Sequence, residues 1–241
     1  QVFTDIASAA RCEGCAQGEL EFGALGVVDE TQPGQKVKKK RTIHDGTRRM
    51  NGKPGPNKRI QMHIRTKGQC PRTQDVRHAL TIEKRRHPKK KVRMAKIDAK
   101  KAHKCVRIRR RDWKYQSAKF GGKQGQPTYF VVNKTGTYGI ASAQFYWGRI
   151  AAITNRFIIA CDLAHWAFMY VDDLLLVLIL DEDADEWEDF AAVLMLLLCL
   201  GYPVSWGKLD MGFELEWIGH HLDSFVMMMR PTVMKLEKCL K

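Results

Sequence analysis

The sequence predicts an α+β fold, on three observations. Strand-like and helix-like stretches alternate without a regular strand–helix–strand rhythm, which argues against a doubly wound parallel sheet. The apolar content of 44% is that of a chain with a packed core. The run "AFMYVDDLLLVLI" holds two β-rich arms broken by an acidic pair, the pattern of a hairpin and not of a helix. A length of 241 residues allows one large domain or two small ones, and no internal repeat is visible.

In chain order, residues 1–35 are weakly patterned, with "GALGVV" a short strand. Residues 36–59 are basic around a turn, "NGKPGPN", and read as a hairpin or loop. "PRTQDVRHALTIEKRR" (71–86) reads as a helix with Thr73 as N-cap and Val76, Leu80 and Glu83 near one face. Residues 91–108 read as a strand ending near Asp98, then a short helix. Residues 128–157 give a strand, a glycine-marked turn and a helix from about Ser142. "DEDADEWEDFAAVLMLLLCLG" (181–201) is a helix whose acidic first turn suits the positive end of its dipole and which Gly201 stops. "FELEWIGHHLD" (213–223) alternates like a strand, and "RPTVMKLEKCLK" starts a last helix.

The net charge of +15 is unevenly spread. Residues 36–123 carry 32 Lys/Arg against 5 Asp/Glu, a net of +27, while both flanks are mildly acidic. So one-sided a block faces a polyanion, and nucleic acid fits better than a membrane surface because no amphipathic Trp/Leu-rich helix accompanies it. The seven cysteines are odd in number and irregular in spacing, which points to reduced thiols in an intracellular protein; a metal at the lone "CEGC" (12–15) is the lesser alternative. No secretory signal opens the chain, no apolar run reaches membrane-spanning length, and the first residue, Gln1, reads as the start of an internal stretch.

The acidic pair raises the sharpest question, because an ionised carboxylate among Leu, Val and Ile is costly unless something pairs with it. Asp172 and Asp173 at a hairpin turn, with Asp98 ending another apolar strand, would make an oxygen-only site for hard divalent cations. Two such ions activate a hydroxyl and stabilise a leaving pyrophosphate. Taken alone, Asp-Asp serves equally as ordinary turn chemistry.

Five stretches in one order give the chain a resemblance to the reverse transcriptases over roughly residues 36–225. "YVDD" (170–173) matches the family's aromatic-x-Asp-Asp motif, and "KIDAKKAHKCVRI" (96–108) its first palm motif. "TYGIASAQFYWGRI" (137–150) resembles a further motif of retrotransposon enzymes. "LGYPVSWGKLDMGFELEWIGHHLD" (200–223) is similar to a lysine motif followed by a primer-grip hairpin, and "KKKRTIHDGTRRMN" (38–51) to the fingers hairpin that holds the incoming triphosphate.

The resemblance implies a right-hand palm, an antiparallel sheet with helices on one face, plus a basic fingers region. Residues 1–90 would form an N-terminal segment and fingers, 91–225 the palm with fingers elements interleaved near 110–135, and 226–241 the start of a thumb. The implied activity is RNA-directed DNA polymerisation with two Mg²⁺ (or Mn²⁺) ions held by Asp98, Asp172 and Asp173 and by the backbone carbonyl of Ala99. Lys101 and Ala102 would face the deoxynucleoside triphosphate through backbone amides, Arg41 its α-phosphate, and Lys39 or Lys40 its γ-phosphate. Lys208 would donate a proton to pyrophosphate, and Trp217, Ile218 and Gly219 would support the primer end. The implied partners are an RNA or DNA template with its primer, and no membrane.

Two departures stand out. His103 occupies the sugar-contacting position usually held by Tyr or Phe, and Gln144 stands where the related motif has Pro. Two other readings share these features: a degenerate retroelement copy that binds nucleic acid without polymerising, and an RNA-dependent RNA polymerase, against which "YVDD", "YGIASA" and "WIGHHL" speak.

Overall fold

The computed structural model describes residues 2–30, 39–48, 54–66, 68–121, 127–181 and 185–239. The chain divides into two compact units, one of residues 1–67 and 103–147, the other of residues 68–102 and 148–241.

The first unit is built on a five-stranded sheet in the order β1-β6-β5-β2-β3, from β1 (Val2–Phe3), β2 (Phe22–Glu30), β3 (Lys39–Asp45), β5 (Ser117–Gly121) and β6 (Thr128–Val132). The β2–β5 pair is parallel and the other pairings are antiparallel. Helix α1 (Ile6–Glu13) is capped by Asp5, whose carboxylate accepts the Ser8 N–H, and packs Ala9 and Ala10 against Leu20 and Val132. Helix α2 (Pro56–His63) places Asn57 where one amide ties three segments together. Its Nδ2 donates to the Gly139 carbonyl (2.7 Å), and its Oδ1 accepts the N–H of Ala141, first residue of α4 (Ala141–Ala160). Gly139 is obligatory: its φ is +91°, and a Cβ there would lie 1.9 Å from the His44 carbonyl oxygen. Of the turn expected at 51–57, residues 51–53 lie outside the described residues. Residues 54 and 55 lead into helix α2.

The second unit centres on a four-stranded antiparallel sheet, order β7-β8-β4-β9, from β4 (Lys91–Asp98), β7 (Trp166–Tyr170), β8 (Asp173–Leu180) and β9 (Asp210–Gly212). Strand β8, "DLLLVLIL", is buried on both faces, which is why it reads as a continuous apolar run. A three-stranded sheet, β10 (Glu214–Trp217), β11 (His220–Asp223) and β12 (Met228–Pro231), completes the unit with α3 (Thr73–Arg86), α5 (Glu186–Cys199) and α6 (Val233–Cys239). Val76 and Leu80 of α3 share a core with Val92, Met94, Leu175, Val177, Leu215 and Trp217.

Several expectations shift in detail. The N-cap of α3 is Arg72, not Thr73: Asp75 in the first turn accepts the Arg72 N–H through its carboxylate (2.7 Å), closing the turn from inside. Residues 213–223 are not one strand but two, turned at Ile218–Gly219. Gly201 does end α5, at φ +67°. Helix α3 falls in the second unit. The basic block is therefore split, residues 36–67 and 103–123 falling in the first unit and 68–102 in the second. None of the seven cysteines is disulfide-bonded, and no helix among the described residues is long and apolar enough to cross a membrane.

Candidate active site

Along β4 the even-numbered side chains Val92 and Met94 enter the core, and the same face continues to Lys96 and Asp98. Along β8 the face of Leu175 and Val177 continues to Asp173. Asp98 and Asp173 are register partners across the two strands, so both carboxylates emerge on one face where its apolar cover ends. Asp172 sits in the β7–β8 turn beside them, and its carbonyl accepts the Ala99 N–H (2.8 Å). Ala99 also bridges Val204, and the Asp98 carbonyl accepts the Ser205 N–H (2.8 Å). The strand end that carries Asp98 is thus fixed on both sides.

Like charges directly opposite one another on a sheet repel. Burial, together with the charges of Asp172 and Asp98, pushes the Asp173 carboxyl up to about 6. The countercharge is Lys208, whose Nζ lies 3.0 Å from both oxygens of Asp98. Its ammonium is held above the ordinary lysine value: partial burial pulls it down, but the Asp98 hydrogen bond and the three carboxylate charges outweigh that. With Asp98 turned to Lys208, the three carboxylates do not all lie within 4.8 Å of one another. An open cleft of about 390 Å³ is lined by Lys96, Asp98, Asp173, Gly207, Lys208, Leu209 and Asp210.

Lys96 and Asp210 escape a reading of the sequence by motif. Lys96 lies two residues before Asp98, hence on its face, and that period-two spacing is the available signal. Its Nζ donates to the Glu216 carbonyl (2.8 Å), and Asp210 is its register partner on β9.

The other expected residues occupy varied surroundings. Trp217 is buried beneath the carboxylate hairpin: its Nε1 donates to the Asp173 carbonyl (3.4 Å) and its ring meets Tyr170 edge-on at 6.4 Å. Ile218 and Gly219 are the β10–β11 turn, both at positive φ. Lys101 is an exposed turn residue at φ +56°, and Ala102 is fully buried at the start of a 3₁₀ turn. His103 is buried against Tyr138, rings 4.8 Å apart, not exposed as a helix-surface histidine would be. Lys39, Lys40 and Arg41 lie on β3, paired with Glu30, Asp29 and Val28; their side chains lie outside the described residues.

No protein-family model matches this sequence, and no curated protein matches it. Solved structures do resemble it. Telomerase from Candida albicans, in complex with a fragment of telomeric RNA, aligns with a TM-score of 0.55 at 10% identity, covering 89% of this chain and 46% of that one. A foamy viral protease–reverse transcriptase in complex with an RNA/DNA hybrid gives 0.47 at 15% identity, over 62% of this chain and 18% of that one. Apo telomerase from Candida tropicalis gives 0.46 at 12%, over 66% and 40%. The chain therefore spans less than half the length of each. Its mixed α+β fold is similar to that of the Candida albicans telomerase structure.

Proposed function

We propose that the chain is an RNA-directed DNA polymerase of retroelement type, transferring deoxynucleotides onto a primer 3′-end under the direction of an RNA or DNA template. The observation that carries this reading is the placement of Asp98 opposite Asp173 and beside Asp172 at one end of the β4–β8 pair, although Asp98 and Asp172 are 74 residues apart in sequence. Hard oxygen donors, mutual repulsion and a raised Asp173 carboxyl fit a pair of Mg²⁺ or Mn²⁺ ions. Bound there, the metals would supply activation of the attacking hydroxyl and charge neutralisation at the leaving pyrophosphate. The Ala99 carbonyl would add a ligand.

The chain's own residues do the rest. Lys208 holds Asp98 in place and, once released from it, carries the proton for the leaving group. Trp217, with Ile218 and Gly219, supports the carboxylate hairpin and the primer terminus. Triphosphate binding falls to Lys39, Lys40 and Arg41 and to the Lys101 and Ala102 amides, and sugar contact to His103. The first unit then serves as fingers, the second as palm, and residues from 226 begin a thumb; an intracellular setting goes with this reading.

One observation favours a second reading, a copy that binds nucleic acid without polymerising: Lys208 already neutralises Asp98 within hydrogen-bond distance. Primer extension on poly(rA)/oligo(dT) with Mg²⁺ separates the two. DNA synthesis that disappears in Asp98→Ala supports the polymerase. Retention of the template–primer without extension supports the binder, and ribonucleotide incorporation in place of deoxynucleotide points to RNA synthesis.

A further inference from the structure

We infer that the second unit carries another metal site, distinct from the carboxylate cleft, in which Glu83, His87 and His165 bind one divalent transition-metal ion of the zinc class. One carboxylate oxygen of Glu83 and one ring nitrogen from each histidine lie within 4.8 Å of one another. It is the only such trio of His, Cys, Asp or Glu among the described residues.

Glu83 makes the cluster more than a coincidence of surface groups. It lies on the buried face of α3 with 2% of its surface exposed, and an unpaired carboxylate there is costly. Its two oxygens are treated differently. Oε1 accepts the Trp166 Nε1–H at 2.9 Å and has the Arg86 guanidinium 3.7 Å away. Oε2 is buried with no hydrogen-bond partner and faces Nε2 of His87 at 3.6 Å. One oxygen is held and the other is left for a cation, as in metal sites where an outer hydrogen bond orients a carboxylate ligand.

The histidines are placed by backbone. His87 ends α3, four residues after Glu83 and on the same side of the helix, with its N–H on the Glu83 carbonyl (2.8 Å). His165 immediately precedes β7 and donates its N–H to the Val177 carbonyl (3.0 Å), so the sheet fixes it. The two rings meet edge to face, 6.0 Å between centroids. A tetrahedral ion with ligand bonds of about 2.0–2.1 Å needs donors roughly 3.3 Å apart. The observed Glu83–His87 separation is already close to that.

Two imidazoles and one carboxylate select a borderline ion such as Zn²⁺ or Co²⁺ over Mg²⁺, which prefers an all-oxygen set. Three protein ligands leave one position for water. The bound ion would clamp the end of α3 to the start of β7, the arm that leads into the carboxylate hairpin.

The test is titration of the full chain with Co²⁺ and with Zn²⁺, in the presence of millimolar Mg²⁺, followed by calorimetry, visible absorption and thermal unfolding. One equivalent should bind and raise the unfolding temperature. His165 is exposed, so His165→Ala should fold normally yet bind at least ~10²-fold more weakly, as should His87→Ala. Trp166→Phe, which removes only the outer hydrogen bond, should weaken binding about 10- to 100-fold. Asp98→Ala and the Cys12→Ser/Cys15→Ser pair should leave the isotherm unchanged, which keeps this result separate from the polymerase reading. Equal isotherms for the unaltered chain and His165→Ala, loss of binding in the cysteine pair, or no binding at all would overturn the inference.

Discussion

The two units differ in where they keep charge and where they keep strain. The first unit holds 22 Lys/Arg against 8 Asp/Glu, the second 19 against 18. Nearly all the net positive charge thus sits on the unit without the carboxylates. Strain is distributed the other way. In the first unit every described residue at positive φ is a glycine: Gly14, Gly121 and Gly139. In the second unit Lys101, Asp162, Val171, Ile218 and Met227 adopt that conformation as well. Two of them, Val171 and Ile218, are β-branched residues in hairpin turns, the least tolerant type in that region. One unit is a relaxed, charged surface. The other holds the candidate site on turns kept out of their preferred conformation, as happens where geometry is put to use.

The sharpest way to break this comparison is to separate chemistry from binding. Asp98→Ala and Asp172→Ala, both in the second unit, should each lower primer extension by at least ~10²-fold, since an electrostatic element of a reacting centre is typically worth that much. Template–primer affinity, measured by fluorescence anisotropy, should stay within a factor of two or so. If affinity falls along with extension, the division of labour is wrong.

The complementary change is on the first unit. Arg109, Arg110 and Arg111 are exposed in one run, and replacing each by Ala should weaken binding and lower the log–log salt slope by roughly 0.7–0.9 for every phosphate no longer neutralised. Equivalent changes at Arg77, Lys84 and Arg85, exposed on α3 of the second unit, should do less. Sequence preference should stay slight in every case, because phosphate contacts position nucleic acid without reading bases. Equal slopes from the two sets would show that the split of the basic block has no functional meaning.

The legibility of the sequence divides along the same line. In the second unit β4, β7, β8, α3 and α5 are readable because each has a strong local period or an unbroken apolar run, and the carboxylates stand out as costly exceptions within them. In the first unit two strands, β2 at "GALGVV" and β6 from Thr128, are readable, but their pairing is not. Its strands are two to nine residues long and pair across long loops, β1 with β6 and β2 with β5, and nothing local encodes such pairings. The burial of His103 is hidden for a related reason: its sequence neighbours are basic, while its packing partner Tyr138 is 35 residues away. The Glu83–His87–His165 cluster is invisible in the sequence because His165 joins the helix pair only through the fold.

The units should also respond oppositely to pH. Asp173 has a folded value near 6, above the ordinary 3.8, so its contribution to stability is fully present below about pH 4 and is lost as pH rises through 6. Asp173→Asn should therefore stabilise the metal-free chain at pH 7.5, by about 1–2 kcal/mol once solvent screening is allowed for, and the gain should vanish near pH 4. His44, buried in the first unit, is shifted the other way: burial holds its imidazole below the usual histidine value, against a smaller opposing effect of Asp45. Its contribution is present above the ordinary histidine range and is lost as pH falls below it. Hydrogen exchange followed from pH 7.5 to 5 should show the first unit's amides losing protection while those of β4 and β8 do not. Parallel loss in both units would remove the contrast.

The smallest effect tests the strain itself. Val171 turns the carboxylate hairpin at φ +56°, at an expected cost on the order of 1–3 kcal/mol for a β-branched side chain. Glycine relieves that cost but adds about 0.5–1 kcal/mol of chain entropy on folding and gives up the packing of a half-buried side chain. The balance for Val171→Gly is a gain of about 1 kcal/mol or less in urea unfolding. The opposite change in the relaxed unit, Gly139→Ala, should cost several times more, since the new Cβ would stand 1.9 Å from the His44 carbonyl. If the strain holds Asp172 and Asp173 in place, Val171→Gly should be the more stable protein and the poorer enzyme, needing more Mg²⁺ for half-maximal extension. A variant that gains stability and keeps its Mg²⁺ dependence would show that the turn is strained without consequence for the site.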